Sequence, residues 1–493
     1  MNRGGLAAAA LLIVGASLAA ISADDPPRGP GGGKRSGQRP QDAPIDDVRF
    51  LFKTDVPAHP LDVVLGRPTK NSVTASVLSY ADREGIIQYG PKAGAPAART
   101  AVFPLKSWEP AEVAITALQP DMQYFYRLST RSAGGAWTTE PEHAFRTQRP
   151  PGRAFTFTVQ ADPHLDYNTE PALYLRCLAN ALADAPDFHI DLGDTFMTDK
   201  HRGRETAAAQ YVAQRYYFGQ IAPSAPLFLV LGNHDGEAGR WLDGTADNMA
   251  LWSNAQRKRY FPNPVPDGFY SGNATRDPHA GLLEDYYAWE WGDALFIVLD
   301  PFWYSTRQRG GGDDNWSRTL GREQYDWLSK TLAQSHAKFR FVFLHHLVGG
   351  LGKDARGGAE AAPLYEWGGH DPDGTDVFKE KRPGWPMPIH ELLVKNHVNI
   401  VFHGHDHLYV RQELDGVVYQ EVPQPGQPRY DNTRSAEEYG YKNGIVIGSS
   451  GHLRIKIDPA RAAVEYVRAF LPGDEQGPRQ NGAIAQSYEV LPR

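Results

Sequence analysis

The stretch Leu227-Phe228-Leu229-Val230-Leu231-Gly232-Asn233-His234-Asp235 decides the fold. An apolar run of strand length is released through a glycine onto three side chains able to hold a metal ion or move a proton. Four further runs end the same way: Phe155 to Val159 before Asp162-Pro163-His164, Phe188 to Leu192 before Gly193-Asp194, Phe339 to Leu344 before His345-His346, and Val398 to Phe402 before Gly404-His405-Asp406-His407. Helix-like segments lie among them at Glu170 to Asp184, Thr206 to Ile221, Arg322 to Ser335 and Pro388 to Asn396, and Ala294 to Leu299 reads as another strand. This alternation predicts an α/β domain with buried strands. In such sheets ligands gather where strands release their carboxyl ends, so one pocket can collect all five groups. Residues two apart in an extended segment share a side, which lets Asp162 join His164 and His405 join His407. The glycines before Asp194, Asn233 and His405 suit tight strand-to-loop turns.

Outward from this block the text changes. Residues 152–470 form the expected catalytic domain, with closing strands at Leu453 to Ile457 and Ala463 to Val467, and 471–493 carries no predicted element. Upstream, 56–148 reads as short β runs parted by turns, at Leu61 to Leu65, Val73 to Leu78, Ile86 to Tyr89, Val113 to Ile115, Tyr124 to Leu128 and Ala144 to Thr147. That spacing predicts an antiparallel sandwich. Residues 24–55, rich in Pro, Gly and charge, are expected to be a disordered leader. Met1 to Ala23, with Arg3, the apolar run Leu6 to Ala20 and a small-residue exit, reads as a signal peptide cut after Ala23, so the protein is expected to be exported to the periplasm or beyond. No later run is long enough for a membrane span.

Composition narrows the function. With 51 Lys+Arg against 58 Asp+Glu the net charge is −7, which gives no overall basic field for nucleic acid. The single cysteine, Cys177, excludes an intrachain disulfide and a Cys-rich zinc site, and its helical setting predicts a packed core thiol. Gly310 to Gly312 and Gly349 to Gly352 lack the lysine of a nucleotide-binding P-loop.

At Asp162-x-His164, Gly193-Asp194, Gly232-Asn233-His234-Asp235, His345 and Gly404-His405-x-His407, in that order, the sequence resembles the calcineurin-like metallophosphoesterases, and among them the purple acid phosphatase relatives. The stretch Leu118, Pro120, Tyr124, Tyr126 in the sandwich resembles fibronectin type III domains, where a corner tyrosine bonds back to the main chain. The resemblance implies a double β-sheet core flanked by helices, preceded by the sandwich, and a binuclear metal centre. Carried over, Asp162, His164 and His407 hold one metal, Asn233, His345 and His405 the other, and Asp194 bridges them. His234 is then the substrate-facing acid and Asp235 its orienting partner. The purple enzymes place a metal-binding tyrosine three residues after the bridging aspartate. Met197 stands there, so a ferric-tyrosinate centre is not expected. The oxygen and imidazole donors admit two divalent or mixed-valence ions among Fe, Mn, Zn, Ni and Co.

The chemistry agrees. Two cations lower the pKa of a shared water and neutralise a phosphate ester that would otherwise repel it, which implies attack by metal-bound hydroxide on a small phosphate ester. A monoester is preferred, with a phosphodiesterase or nucleotide-cleaving hydrolase on the same core as the alternative. A non-catalytic binding or adhesion protein using the sandwich is the reading from a different class, and the filled ligand positions speak against it. Around the site, His346 reads as a phosphate contact or a core residue, and His189 and His403 as structural histidines. Asp300 reads as a turn cap ahead of a cleft residue, Asp199 to Arg202 as a solvated charged loop ahead of a part of the substrate mouth, and Tyr409 and Arg411 as supports of the last loop. The long insertions 236–286 and 349–388 are expected to border the pocket.

Overall fold

The computed structural model describes residues 51–306 and 314–493. The predicted signal peptide and most of the predicted leader lie outside them.

The run Phe155-Thr156-Phe157-Thr158-Val159 shows how sequence becomes architecture: Phe155, Phe157 and Val159 enter the core, while Thr158 on the opposite face bonds His189 Nδ1 at 2.8 Å. This strand, Phe155–Gln160, lies parallel to Phe188–Asp191, which lies parallel to Leu227–Leu229. On its other side it pairs antiparallel with Gly451–Asp458, followed by Arg461–Arg468 and Ile484–Val490. A second sheet runs in the order Ser271–Gly272, Tyr287–Trp291, Ala294–Val298, Phe339–Phe343, Ile400–His403, Val417–Glu421, Tyr409–Leu414, Ile445–Ile447. Its four central strands, from Ala294–Val298 to Val417–Glu421, are parallel. The two sheets bury their inner faces in one aromatic core, where Phe157 meets Phe296 at 5.1 Å and Phe343 stacks on Phe402 at 5.0 Å between ring centroids. The outer face of the second sheet, with Ile297, Val342 and Val401, packs under the helices Arg322–Gln334 and Ile389–Lys395. Helix Pro171–Ala183 starts on the Glu170 side chain, which accepts from Ala172 N–H, and buries Cys177.

Upstream, the strands Leu61–Gly66, Val73–Ser79 and Ala111–Ile115 form one antiparallel sheet, and a second is built on Arg83–Gly90 and Gln123–Arg131. Leu65, Val77, Ile87, Tyr126 and Phe145 fill the space between them. The Tyr124 hydroxyl accepts from Gln119 N–H at 2.9 Å.

Two boundaries shift from those read in the sequence. The segment 471–493 contains the strand Ile484–Val490, whose Tyr488 reaches the common core, so it closes the first sheet as an edge strand. The end of the predicted leader is docked: Phe52 stacks on His201 at 3.9 Å, and Lys53 N–H donates to Leu165 O at 2.7 Å. An aromatic ring and a backbone partner anchor these last residues to the α/β layers. Among the described residues, no helix is long and apolar enough to cross a membrane.

The sandwich meets the α/β layers through Val64 and Leu78 against Phe196, Tyr211, Phe218 and Phe261. At this seam lies Arg215 of helix Arg204–Phe218, fully buried. Its Nη1 donates to Ser76 Oγ and Tyr260 O, and its Nη2 to Asp62 O and Ser76 O, at 2.8 to 3.1 Å. Methionine keeps the volume but strands these acceptors. Arg215→Met is therefore expected to lower stability by about 3 to 5 kcal/mol. Urea denaturation of the full chain checks this, and a loss under about 1 kcal/mol would mean that the guanidinium does not lock the seam.

Candidate metal centre

The three parallel strands of the first sheet end together, which brings Asp162, Asp194 and Asn233 to one edge. The parallel ends of Phe339–Phe343 and Ile400–His403 bring His345 and His405 from the other sheet. Backbone bonds tie the two edges: His405 N–H donates to Asp162 Oδ2 at 2.9 Å, and His345 Nδ1 lies 2.9 Å from Leu192 O. The glycines are there for close approach. A side chain on Gly232 would fall on the Asp194 main chain, and one on Gly404 would come within 2.8 Å of Asp162 Oδ2. Asp162, Asp194, His405 and His407 all adopt left-handed backbone, with φ of 61°, 54°, 82° and 59°. Such strain costs of order 1 kcal/mol or more at a residue with a Cβ, and it collects at functional sites.

Two groups of donors result. Asp162, His164 and His407 form one, and Asp194, His345 and His405 the other, each with its ligand atoms within 4.8 Å of one another. Asp194 Oδ2 stands between them, 3.3 Å from His345 Nε2 and 3.7 Å from His164 Nε2. Its other oxygen accepts from His234 N–H at 2.8 Å. Burial opposes charge on Asp162 and Asp194, and the surrounding histidines outweigh it, holding both carboxyls well below the usual range. His164 and His345 face the same balance and are pushed up against burial, His164 to about 10 by Asp162 and Asp166, and His345 to about 9 by Asp194 and Asp162.

The donor set fits a pair of metal ions. Asn233 Oδ1 is buried without a hydrogen-bond partner, an acceptor that a cation would satisfy. Each imidazole with a held nitrogen keeps the other for the site: His345 Nδ1 is on Leu192 O and its Nε2 on Asp194, while His405 Nε2 is on Asp354 O at 2.6 Å and its Nδ1 lies 3.2 Å from His345 Nε2. Fixing the tautomer in this way is how proteins aim histidine ligands. Oxygen and imidazole donors with no thiolate suit hard or borderline divalent ions.

His234 sits at the open side, its side chain 22% exposed. Its Nδ1 lies 2.8 Å from Asp199 Oδ1. The orienting carboxylate is thus Asp199, and the pairing of His234 with Asp235 is corrected. Asp235 faces the other way and ties the loops together, accepting from Gly232, Asp194 and Phe196 N–H at 2.8, 3.1 and 2.7 Å. The segment from Asp199 to Arg202 is not a uniformly solvated loop. Met197, buried with φ of 48°, turns the chain into a short 3₁₀ turn, and Asp199 N–H donates to His234 O. Asp199 is 3% exposed, and His201, also buried, lies 2.6 Å from Gln210 Oε1. Against burial, the charges of His234, Lys200 and Arg240 hold the Asp199 carboxyl below its ordinary range. Asp199→Asn should leave metal content intact while lowering kcat by about 10- to 100-fold on an alkyl phosphate, because the ring loses its charged anchor. Steady-state kinetics with elemental analysis check this, and an unchanged kcat would remove Asp199 from the reaction.

The neighbouring residues divide. Asp300 caps its turn, accepting from Phe302 and Trp303 N–H. His189 is held by Thr158, and His403 Nδ1 lies 2.7 Å from Glu421 Oε2. Tyr409 stacks on Tyr466, and Arg411 covers the Tyr488 ring. His346 is buried beside His345, and burial followed by the Arg318 charge holds it well below the usual imidazole range. Around the margin, Arg240 donates to Asn233 O at 2.8 Å, Arg356 bonds His405 O and Asp406, and Arg318 approaches His346. None of these arginines was predicted. Each sits on a long insertion or loop, where a charged residue reads as solvated.

The pattern of the calcineurin-like phosphoesterases matches residues 155–409. Among solved structures, PhoD is similar over 87% of this chain and 90% of its own, at 15% identity and a TM-score of 0.63. The purple acid phosphatase PPD1 from seeds of yellow lupin, Lupinus luteus, is similar over 88% of this chain and 74% of its own, at 15% identity and a TM-score of 0.58. At such identity they bear on the fold alone. No curated protein matches the sequence.

Proposed function

The chain belongs to the calcineurin-like phosphoesterase family, and from that premise we propose an exported hydrolase of phosphate monoesters, in which Asp162, His164 and His407 hold one divalent cation, Asn233, His345 and His405 a second, and both share Asp194. The observation that carries the reading is the meeting of the two donor groups around Asp194 Oδ2. When bound there, a cation pair supplies Lewis acidity toward the phosphoryl oxygens and lowers the pKa of a water. The chain's own residues do the rest. His234, partly exposed and with its Nδ1 held by Asp199, has Nε2 left to give a proton to the departing oxygen. Asp235 keeps the loops of Gly232, Asp194 and Phe196 at fixed spacing.

The margin supports a monoester over a diester. Arg240 and Arg356 bond the main chain of Asn233 and His405, and Arg318 lies beside His346, next in sequence to His345; a monoester brings such cations up to two negative charges where a diester brings one. Export rests on the sequence from Met1 to Ala23. Two measurements test the proposal. Turnover of p-nitrophenyl phosphate should exceed that of bis-p-nitrophenyl phosphate by about tenfold or more, and the reverse order would make the protein a diesterase. Mature protein recovered outside the cytoplasm should begin at Asp24, and retention of Met1 would overturn the export reading.

A further inference from the structure

We infer that Gln210, Gln214 and the docked Phe52-Lys53 segment position His164 for the first cation of the proposed pair, a role that rests on the two-metal reading of the site. The loop that carries His164 takes its hydrogen bonds from elsewhere. Asp162 and Leu165 both adopt left-handed backbone, with φ of 61° and 56°, and the residues between them belong to no helix or strand, so their carbonyls need outside donors. Three consecutive carbonyls find them. Gln214 Nε2 donates to Pro163 O at 2.9 Å, Gln210 Nε2 to His164 O at 2.6 Å, and Lys53 N–H to Leu165 O at 2.7 Å. The two glutamines stand about one turn apart on helix Arg204–Phe218, and both are fully buried. Held in this way, His164 has its Nε2 3.3 Å from Asp162 Oδ1 and 3.7 Å from Asp194 Oδ2.

The amide of Gln210 has one orientation here. Both of its Nε2 partners, His164 O and Thr195 O, are acceptors, so Oε1 faces His201 Nε2 at 2.6 Å, and that nitrogen carries the proton. Phe52 stacks on the His201 ring at 3.9 Å. Lys53 also donates from Nζ to Thr169 O at 2.5 Å, so it spans the turn containing Asp166, whose Oδ2 lies 3.5 Å from His164 Nδ1. A run of direct contacts thus leads from half-buried Phe52 to the main chain of a proposed ligand. The second metal position has less to lose. Thr195 O, next to the shared Asp194, accepts from Gln210 at 2.8 Å and from Gln214 at 3.0 Å, so one amide keeps it when the other is removed. Among the described residues, only Gln210 donates to His164 O.

The test strips manganese(II) from the full, metal-replete chain with graded chelator and reads the two apparent affinities by elemental analysis. Gln210→Met keeps the side-chain length and removes both amide groups. It should weaken one manganese site by about 10- to 100-fold and leave the other within about threefold. The weakened site is the one lost in His407→Ala, so in that background Gln210→Met should change the remaining affinity by less than about threefold. Phe52→Ala, at the rim, should weaken the same site by about three- to tenfold, and Phe52→Tyr, which keeps the stacking ring, should restore it. Equal weakening of both sites in Gln210→Met, or a further loss in the His407→Ala background, would make the glutamine a general support of the fold and overturn the assignment. Unchanged manganese affinity in Phe52→Ala would overturn the role of the docked segment, and that variant decides alone if Gln210→Met does not fold. A wild-type chain that shows this pattern yet hydrolyses neither ester would uphold the positioning and overturn the monoesterase reading, whereas one that holds fewer than two manganese ions would overturn the two-metal reading itself.

Discussion

Asp194→Ala is expected to empty both metal positions at once and to lower kcat/KM by at least about a thousandfold, more than the loss of any terminal ligand. The reason is in the distances. Asp194 Oδ2 lies 3.7 Å from His164 Nε2 in one donor group and 3.3 Å from His345 Nε2 in the other. A terminal ligand serves one position. His407, whose side chain is 34% exposed and whose Nε2 lies 3.4 Å from Asp162 Oδ1, closes only the first group, so His407→Ala should keep the second metal. Asp194→Ala also removes the acceptor for His234 N–H, but one backbone hydrogen bond contributes about 1 kcal/mol and cannot empty two sites. Elemental analysis beside circular dichroism decides the matter. A folded Asp194→Ala protein with about two metals per chain would refute the shared role.

How much of this was legible in the sequence depends on how local the signal is. The ligand motifs stood out because each ends an apolar strand, three of them through a glycine whose close approach is forced: a Cβ on Gly193 would fall on the Gly232 main chain, one on Gly232 on the Asp194 main chain, and one on Gly404 on Ala161 Cβ and Asp162 Oδ2. The phenylalanines of the core were legible from alternation alone. Two hairpins were missed although their turns are written plainly. Asp415-Gly416, with φ of 50° and 80°, joins Tyr409–Leu414 to Val417–Glu421, and Gly292-Asp293 joins Tyr287–Trp291 to Ala294–Val298. Aspartate-glycine, and in the second case glycine-aspartate, between β-formers is a hairpin signal. The helix Met249–Tyr260 escaped for another reason. It packs by polar pairs, with Arg257 on Glu237 and Asn254 on Leu283 O, and so lacks a clean apolar stripe. Asp199 is the instructive miss. Nothing local separates it from Lys200 and Arg202, and only the fold, which brings the loop after Asp194 against the loop after Leu229, buries its carboxylate under His234. A long-range partner of that kind leaves no periodicity to read.

The same geometry makes the result for His234 depend on the substrate. With Nδ1 engaged by Asp199 at 2.8 Å, the ring has Nε2 for the ester, and a partly exposed ring at the edge of the donor groups can follow a departing oxygen. A general acid is worth about 10² to 10⁴ in rate, and most where the leaving group is a basic alkoxide. A nitrophenolate departs with little help. His234→Ala should therefore keep its metals, lose about 10²- to 10⁴-fold in kcat/KM on an alkyl phosphate, and lose distinctly less on p-nitrophenyl phosphate. If His234 only positions phosphate, both substrates should suffer alike, because weaker binding does not depend on leaving-group basicity. Asp199→Asn then provides the internal control. Its carboxylate acts through the ring, so its smaller loss should show the same dependence on the leaving group and should vanish in the His234→Ala background. Equal losses on the two esters at full metal occupancy would remove the proton-donor role. Loss of metal from His234→Ala would instead place the ring in the coordination shell, and an Asp199 effect that persists without His234 would break the link between them.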